Sequence, residues 1–530
     1  MGSLHAIFIE SHEKERMNAP ILLHMRGVSK AFGSTQALQD VSFELRQREI
    51  HGLLGGNGAG KTTLMNILFG LYRADAGEIF LNDQPIHISG PKDAITHRIN
   101  MVHQHFLQVG SFTVLENILI GAPRKNRWNN RYDAEIQKIR TLQERFGLEV
   151  PLDALIEDLP MGMRQKVEIL KALYRGVQVL ILDEPTTNLT PQEVDALFQS
   201  LRVMVQEGLS VVFITHKLRE VMSVCDRITV LRNGRNILTL DRKEASEEAF
   251  VRAMVGESMD MSRSVIFAHA GQDLPAPAPV PLLRLEGITT APDEGSVALK
   301  NVSFEVREGE IFGIAGVAGN GQRELAEVVM GLLPVQAGQI LLRHQALPHP
   351  DSRRGLKGDF AYIPEDRLHD GFLPRATVAH NLILGLHRRP PYSNGRVIDW
   401  KTVHARALDL IAQYNIKASG PEDMGGNLSG GNIQRVMVAR AFSAAAPVLV
   451  AHNPTRGLDI PSMDLVYQRL LERKRQGQAT LLISEDLDEL MLMSDRIGVL
   501  YKGELLGIVE RPAFEKYTIG QMMSGIRPQA

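Results

Sequence analysis

A chain of 530 residues is too long for one hydrophobic core and predicts at least two large domains. With 44% hydrophobic residues, 23% charged residues and a formal net charge of −2, the composition is that of a soluble globular protein, and it excludes the basic excess that marks a nucleic-acid partner. The single cysteine, Cys225, excludes internal disulfides and cysteine-rich metal sites and reads as a core residue of a reduced, cytosolic protein; no apolar run reaches the ~18 residues needed to span a bilayer, so a membrane role would be peripheral.

In chain order, residues 1 to about 20 lack periodicity. The opening Met-Gly-Ser-Leu-His-Ala lacks the sixth-position Ser or Thr that myristoylation prefers, and Met17 offers an alternative start. Ile50 to Leu54 reads as a short buried strand, and Thr63 to Phe69 carries apolar residues at helical spacing. Between them lie Gly55, Gly56, Asn57, Gly58, Ala59, Gly60, Lys61 and Thr62, which match the G-x-x-x-x-G-K-[ST] pattern. Glycines allow successive backbone N–H groups to close around phosphates, and the helix that follows offers its positive end. Lys61 would reach the β and γ phosphates, and Thr62 would place its hydroxyl on Mg²⁺. Val177 to Leu182 and Val211 to Ile214 are continuous apolar runs, as in strands buried on both faces. They deliver Asp183-Glu184 and Thr215-His216 at strand C-terminal ends, where open α/β sheets bind ligands.

The chain then repeats itself. Ala37 to Leu45 reappears as Ala298 to Val306, an offset of 261 that also carries Gly55 to Gly316, Lys61 to Gln322 and Gln104 to Glu365. Leu159 and Leu428, Asp183 and His452, and His216 and Glu485 are each separated by 269, so the second copy gains eight residues between Glu365 and Leu428, in an expected helical insert. The expected division is a first domain over 20–258, a linker over 259–281 and a second domain over 282–526. Pro275, Pro277, Pro279 and Pro281 alternate with small residues in the linker, which predicts an extended segment that builds no core.

The phosphate loop, Gln104, Leu159-Pro160-Met161-Gly162-Met163, Asp183-Glu184 and His216 come in an order that resembles the ATP-binding subunits of ABC transporters, over about residues 22 to 525. The resemblance implies two tandem P-loop α/β domains, each with a mainly parallel sheet, an antiparallel β subdomain and a helical subdomain. It implies ATP and Mg²⁺ as cofactors, with residues 55–62 and Thr63 around the phosphates and Thr62, Gln104 and Asp183 about the metal. Glu184 would be the general base, His216 would contact the γ-phosphate, and the Gln104 loop would also sense a membrane partner. Phe32, just before the first β-hairpin, would stack on adenine, with a core position as the other reading.

The second copy departs from the pattern. Gln322 and Arg323 replace the lysine and the magnesium hydroxyl, His452-Asn453 removes both carboxylates, Glu485 replaces the histidine, and Asp293 takes the position of Phe32. Yet it keeps Leu428-Ser429-Gly430-Gly431-Asn432, close to the family's LSGGQ signature, and Asp459 of the D-loop, where the first copy has Pro160-Met161 and Thr190. If the copies pack head to tail as the family's domains do, one site joins Lys61, Thr62, Asp183, Glu184 and His216 to Ser429, Gly430, Gly431, Asn432 and Asp459. The other site lacks base, histidine and signature, so one composite ATP site would be competent through intramolecular pairing of the domains.

Tandem subunits of this kind resemble those of bacterial importers for simple sugars and nucleosides, and Met101 to Phe106, Tyr362 to Arg367 and Ser484 to Leu490 look more like the nucleoside branch. The implied partners are two polytopic permease subunits and, indirectly, an extracytoplasmic substrate-binding protein, with no nucleic acid. The implied location is the cytoplasmic face of the cell membrane. Import of ribose or galactose is one alternative; a soluble tandem ABC ATPase acting on ribosomes or nucleic acid is another, opposed by the dead second site and the Pro/Ala linker.

Overall fold

The structure, a computed structural model, describes residues 19–527 apart from 34, 105, 122–131, 245, 257–263, 269–275, 293–295, 349 and 352–357. Two compact units divide the chain, Met1–Ser258 and Met259–Ala530.

In the first unit Ile50–Leu54 is buried at all five positions, which explains its unbroken apolar run. It lies between two parallel neighbours, Ser210–Thr215 and Arg227–Arg232. The six-stranded sheet runs in the order Arg235–Asp241, Arg227–Arg232, Ile50–Leu54, Ser210–Thr215, Val179–Asp183, Ile99–Val102, parallel except for its outer hairpin. Leu54 pairs with Thr215 and Asp183 with Ile214, so Gly55, Glu184 and His216 leave the sheet side by side. A four-stranded antiparallel sheet, ordered Thr35–Arg46, Ile21–Phe32, Ala76–Leu81, Gln84–Ile86, places Leu23, Met25 and Phe43 in one core with Leu64, Met65 and Leu68 of the helix Lys61–Leu68. Helices Val114–Leu119, Asp133–Phe146 and Met161–Tyr174 form the helical part. A Thr113/Glu116 capping box opens the first of them.

The second unit repeats this plan, with a four-stranded sheet on Pro281–Thr289 and a six-stranded sheet ordered Phe360–Ile363, Val448–His452, Ala479–Ser484, Ile311–Ala315, Arg496–Tyr501, Glu504–Glu510. The eight extra residues enter in steps. Thr377 and Asn381 repeat the cap and turn of Thr113 and Asn117 at a separation of 264, so three extra residues precede them, about the turn Arg367–Gly371, and five follow before Leu428.

Among its described residues, the linker differs from the expected extended segment at one place. Val265–Ala268 forms a helical turn whose Val265 is buried in the second unit's core. Asp464 Oδ1 accepts from Ser264 Oγ (2.8 Å), Val265 N (2.7 Å) and Ile266 N (3.2 Å), so one buried carboxylate answers the N–H groups that open this turn. Proline spacing cannot reveal such a docking residue, because the anchor is 200 positions away. Among the described residues no helix is long and apolar enough to cross a membrane.

Candidate functional site

The phosphate loop of the first unit needs its glycines. Gly60, at φ 102°, begins the helix Lys61–Leu68, and a Cβ there would stand 2.7 Å from Leu38 Cδ2 and 2.8 Å from the Ala37 carbonyl oxygen. At Gly58 an added Cβ would meet nothing within 4 Å, so the loop's outer face is open. Lys61 is only 5% exposed and donates to the carbonyls of Gly55 (2.8 Å) and Gly56 (3.0 Å), which hold its ammonium at the centre of the loop. Burial lowers its pKa, against the pull of Glu184 and Asp183, which favour the charged form.

The carboxylates stand directly beside the loop. Thr62 Oγ1 lies 3.4 Å from Asp183 Oδ1, so a hydroxyl and a carboxylate face one point, as a magnesium shell filled mainly by phosphate oxygens and water requires. Burial, and then the charge of Glu184, raise Asp183 to about 6, while Thr62 and Lys61 act against the shift. A bound cation would favour the ionised form, so the residues present fit Mg²⁺.

Glu184 is held from two sides. Its Oε1 is 2.9 Å from His216 Nδ1 and its Oε2 accepts from Gln104 Nε2 at 3.1 Å. Burial pushes its pKa up, but the hydrogen bond and charge of His216, with Lys61 and Lys217, outweigh this and leave it lowered, so it is an anion at neutral pH. Its backbone sits at φ 47°, a left-handed conformation that a non-glycine residue adopts at a cost of order 1–3 kcal/mol and that aims its side chain out of the sheet end. Gln104, Lys61, Thr62, Asp183, Glu184 and His216 are therefore one cluster. Phe32 closes the end of the Ile21–Phe32 strand rather than preceding the hairpin, and it is not a core residue: it is 44% exposed and meets Tyr72 edge to face at 5.2 Å.

The second unit fills the corresponding places with other chemistry. Gln322 Nε2 donates to Val317 O (3.0 Å), as Lys61 does to Gly56, but its Oε1 also accepts the Asn320 N–H (3.0 Å), so a side chain occupies a loop donor. Arg323 pairs with Glu327 (2.8 Å) and Asp370 (3.4 Å). Burial drives His452 down to about 3, so its approach to Glu365 at 3.7 Å is not an ion pair. Asn453 repeats the φ of Glu184, at 47°, with an amide in place of the carboxylate. Asp293 and His105 lie outside the described residues.

Ser429 precedes the helix Gly430–Ser443 and accepts from Asn432 Nδ2 (2.9 Å), while Asn432 Oδ1 takes the Lys417 N–H (2.9 Å). Asp459 caps the helix Ile460–Arg475 and pairs with Arg435 (2.8 Å); Thr190 caps the matching helix Pro191–Gln206. Its loss from the first copy therefore costs no cap, and what disappears is the ion pair.

Three supporting residues escape a motif reading. Glu220 joins the ends of two strands, accepting from Thr186 Oγ1 (2.6 Å) and Thr215 Oγ1 (2.8 Å). Glu489 does the same for Thr455 (2.7 Å) and Ser484. At the separation of 269 Glu220 and Thr186 recur as Glu489 and Thr455, and Ser484 keeps the hydroxyl of Thr215, which was a signal available in the sequence. Arg367 donates to the carbonyls of Gly430 (3.3 Å) and Arg456 and braces the start of the signature helix.

The family model for ABC transporters matches residues 38–187 and 299–456, segments whose starts lie 261 apart and whose ends lie 269 apart. The chain is 38% identical over 504 residues to the nucleoside import ATP-binding protein NupA of Lactococcus lactis subsp. cremoris, covering 95% of this chain and 98% of that protein. It is also 38% identical over 535 residues to the glucose import ATP-binding protein TsgD13 of Haloferax volcanii, covering 95% and 96%. A solved structure titled RNase-L Inhibitor matches 92% of this chain and 90% of its own with a TM-score of 0.58 at 18% identity, a likeness of fold alone. With two matched cassettes and one complete cluster of phosphate-loop, carboxylate and histidine groups, the chain belongs to the ABC transporter family as a tandem-domain ATP-binding subunit.

Proposed function

We propose that the protein hydrolyses ATP to power import of nucleosides through a membrane permease, with one competent ATP site and one degenerate site. The observation that carries the reading is the Glu184 carboxylate, ionised and held between Gln104 and His216 beside Lys61 and Asp183. Lys61 and the loop N–H groups would take the β and γ phosphates of ATP, with Phe32 against adenine and Thr63 completing the turn. Thr62, Asp183 and Gln104 would hold Mg²⁺, which supplies charge neutralisation at the phosphates. Glu184 orients the attacking water and accepts its proton, and His216 positions that carboxylate and reaches toward the γ-phosphate.

The complementary losses in the two copies support a composite arrangement. The first copy has a complete catalytic set and an eroded signature; the second has an intact signature and no catalytic set. Independent drift of two copies gives no reason for that complementarity, whereas pairing of Lys61 and Glu184 with Ser429, Gly430, Gly431 and Asn432 across one nucleotide does. Asp459, held by Arg435, would steady that wall.

The partners of this reading are two polytopic permease subunits on the cytoplasmic face of the cell membrane, fed by an extracytoplasmic binding protein. Similarity to a nucleoside-import and a glucose-import subunit keeps sugar import as the second reading. Copurification from detergent-solubilised membranes should recover two polytopic proteins and an ATPase stimulated by a nucleoside-loaded binding protein. Stimulation by ribose or glucose instead would transfer the reading to sugars. Crosslinks from the Gln104 loop to ribosomal proteins alone would overturn transport altogether.

A further inference from the structure

The second unit contains a cavity of about 540 Å³ that the ATP chemistry does not use. Its walls are the segment around Tyr392, the helix Trp400–Gln413, the end of the helix Gly430–Ser443 and the helix Ile460–Arg475. The Tyr392 segment falls in the stretch after Asn381 where the second copy gains residues.

Two arginines on this cavity are only partly satisfied by the protein. Arg469 and Arg473 stand four apart on one helix face, so both reach the same wall. Arg473 is 4% exposed, and while its Nη2 donates to Ala446 O at 2.9 Å and to Ala479 O at 3.5 Å, its Nε and Nη1 are buried without a hydrogen-bond partner among the described residues. Arg469 bonds Glu472 through Nη1 (2.5 Å) and lies 5.9 Å from the centre of the Tyr414 ring, and its Nε is buried without a hydrogen-bond partner among the described residues. Arg406 adds a third guanidinium from the helix opposite. Burial lowers Arg473 only to about 10, so it stays charged at neutral pH. A buried charge with open donors is strongly unfavourable by itself. The first copy shows that the fold does not require it: at the separation of 269, Arg473 corresponds to Met204 and Arg469 to Ser200, both buried and neutral.

We infer that this cavity binds the phosphate monoester of a small ring compound, its phosphate held by Arg406, Arg469 and Arg473. Guanidinium forks match phosphate oxygens two at a time. Four arginines, Arg389, Arg406, Arg469 and Arg473, line the cavity against two carboxylates, Asp409 and Glu472, and a dianion answers that excess of two positive charges. The cavity is far larger than one phosphate, and Tyr392 and Tyr414, 7% and 4% exposed, line it with the remainder of their surface and leave room for an organic part. No residue of the second unit's phosphate loop lines the cavity.

The test is isothermal titration of the full chain carrying Lys61→Ala, which weakens phosphate capture at the first loop, with inorganic phosphate and with ribose 5-phosphate as probes. Saturable binding is expected for both, tighter for ribose 5-phosphate, and Arg473→Met should weaken it by about tenfold or more, the loss expected of a charge-assisted contact. Arg473→Met should melt no lower than its parent without ligand, because Met204 occupies the matching place in the first unit. Arg406→Ala, at an exposed position, should weaken binding comparably and keeps the test valid if the buried variant folds poorly. Absence of saturable binding up to about 10 mM, or undiminished binding in both variants, overturns the site. Equal affinity for the two probes overturns the ring-compound assignment.

Discussion

At the residue scale the site separates two neighbouring carboxylates by environment. Glu184 is kept ionised by His216 and Lys61 despite burial, whereas Asp183 is raised to about 6 by burial and by Glu184 itself. Glu184→Gln should therefore retain ATP binding and lose hydrolysis by on the order of 10²-fold or more, read as the steady-state rate of the assembled transporter. Half the wild-type rate would show that another group activates water. The raised Asp183 gives a pH dependence whose sign follows directly. Its ionised share falls from nearly all at pH 7.5 to about a tenth at pH 5, so apparent Mg²⁺ affinity should fall about tenfold over that range, with a proton released on binding near pH 6. Because its folded value lies above its unfolded one, ionising Asp183 destabilises the nucleotide-free fold as pH rises through about 6. Asp183→Asn should then raise the melting temperature at pH 7.5, and a lower one would contradict the burial argument.

At the element scale, parallel strand ends place the groups and a second layer of hydrogen bonds ties those ends together. Glu220 answers the buried hydroxyls of Thr186 and Thr215, so the turn that follows Asp183-Glu184 and the turn that carries His216 share one carboxylate. Glu220→Ala leaves both hydroxyls without that partner and should cost ~1–3 kcal/mol. The loss should appear in denaturant unfolding of the full chain as an earlier first transition with the second unit's transition unmoved. A change confined to the hydrolysis rate, with unfolding unaltered, would make Glu220 a catalytic participant rather than a brace.

At the scale of the whole molecule the prediction concerns which residues share a nucleotide. If Lys61 and Ser429 serve one ATP, Ser429→Arg should abolish hydrolysis as thoroughly as Lys61→Ala, because added bulk and charge on the facing wall would exclude the γ-phosphate. Combining the two should be no worse than either alone, since groups acting on one step are strongly non-additive. Met161→Arg and Gln322→Ala touch the other site and should leave most turnover in place. Steady-state rates with the permease present decide the matter: hydrolysis stopped by Met161→Arg but not by Ser429→Arg would mean that each copy works with its own signature.

The sequence by itself determined the parts that depend on local pattern. The glycine, lysine and threonine spacing of 55–62, the buried runs before Asp183 and His216, the duplication, and the opposite erosion of the two copies were all legible, because backbone conformation and strand burial constrain residue type within a few positions. Only the tertiary structure decided what depends on residues far apart in the chain. It showed Phe32 exposed at a hairpin end and so removed the core reading, and it docked Val265 of the expected linker against a core through Asp464. It revealed Glu220 and Arg367 as braces and gathered Arg469 and Arg473 on a cavity with Arg406. The reason is physical: a buried charge or hydroxyl is tolerable only when its partners are present, and those partners are set by packing between elements, which one-dimensional spacing does not encode.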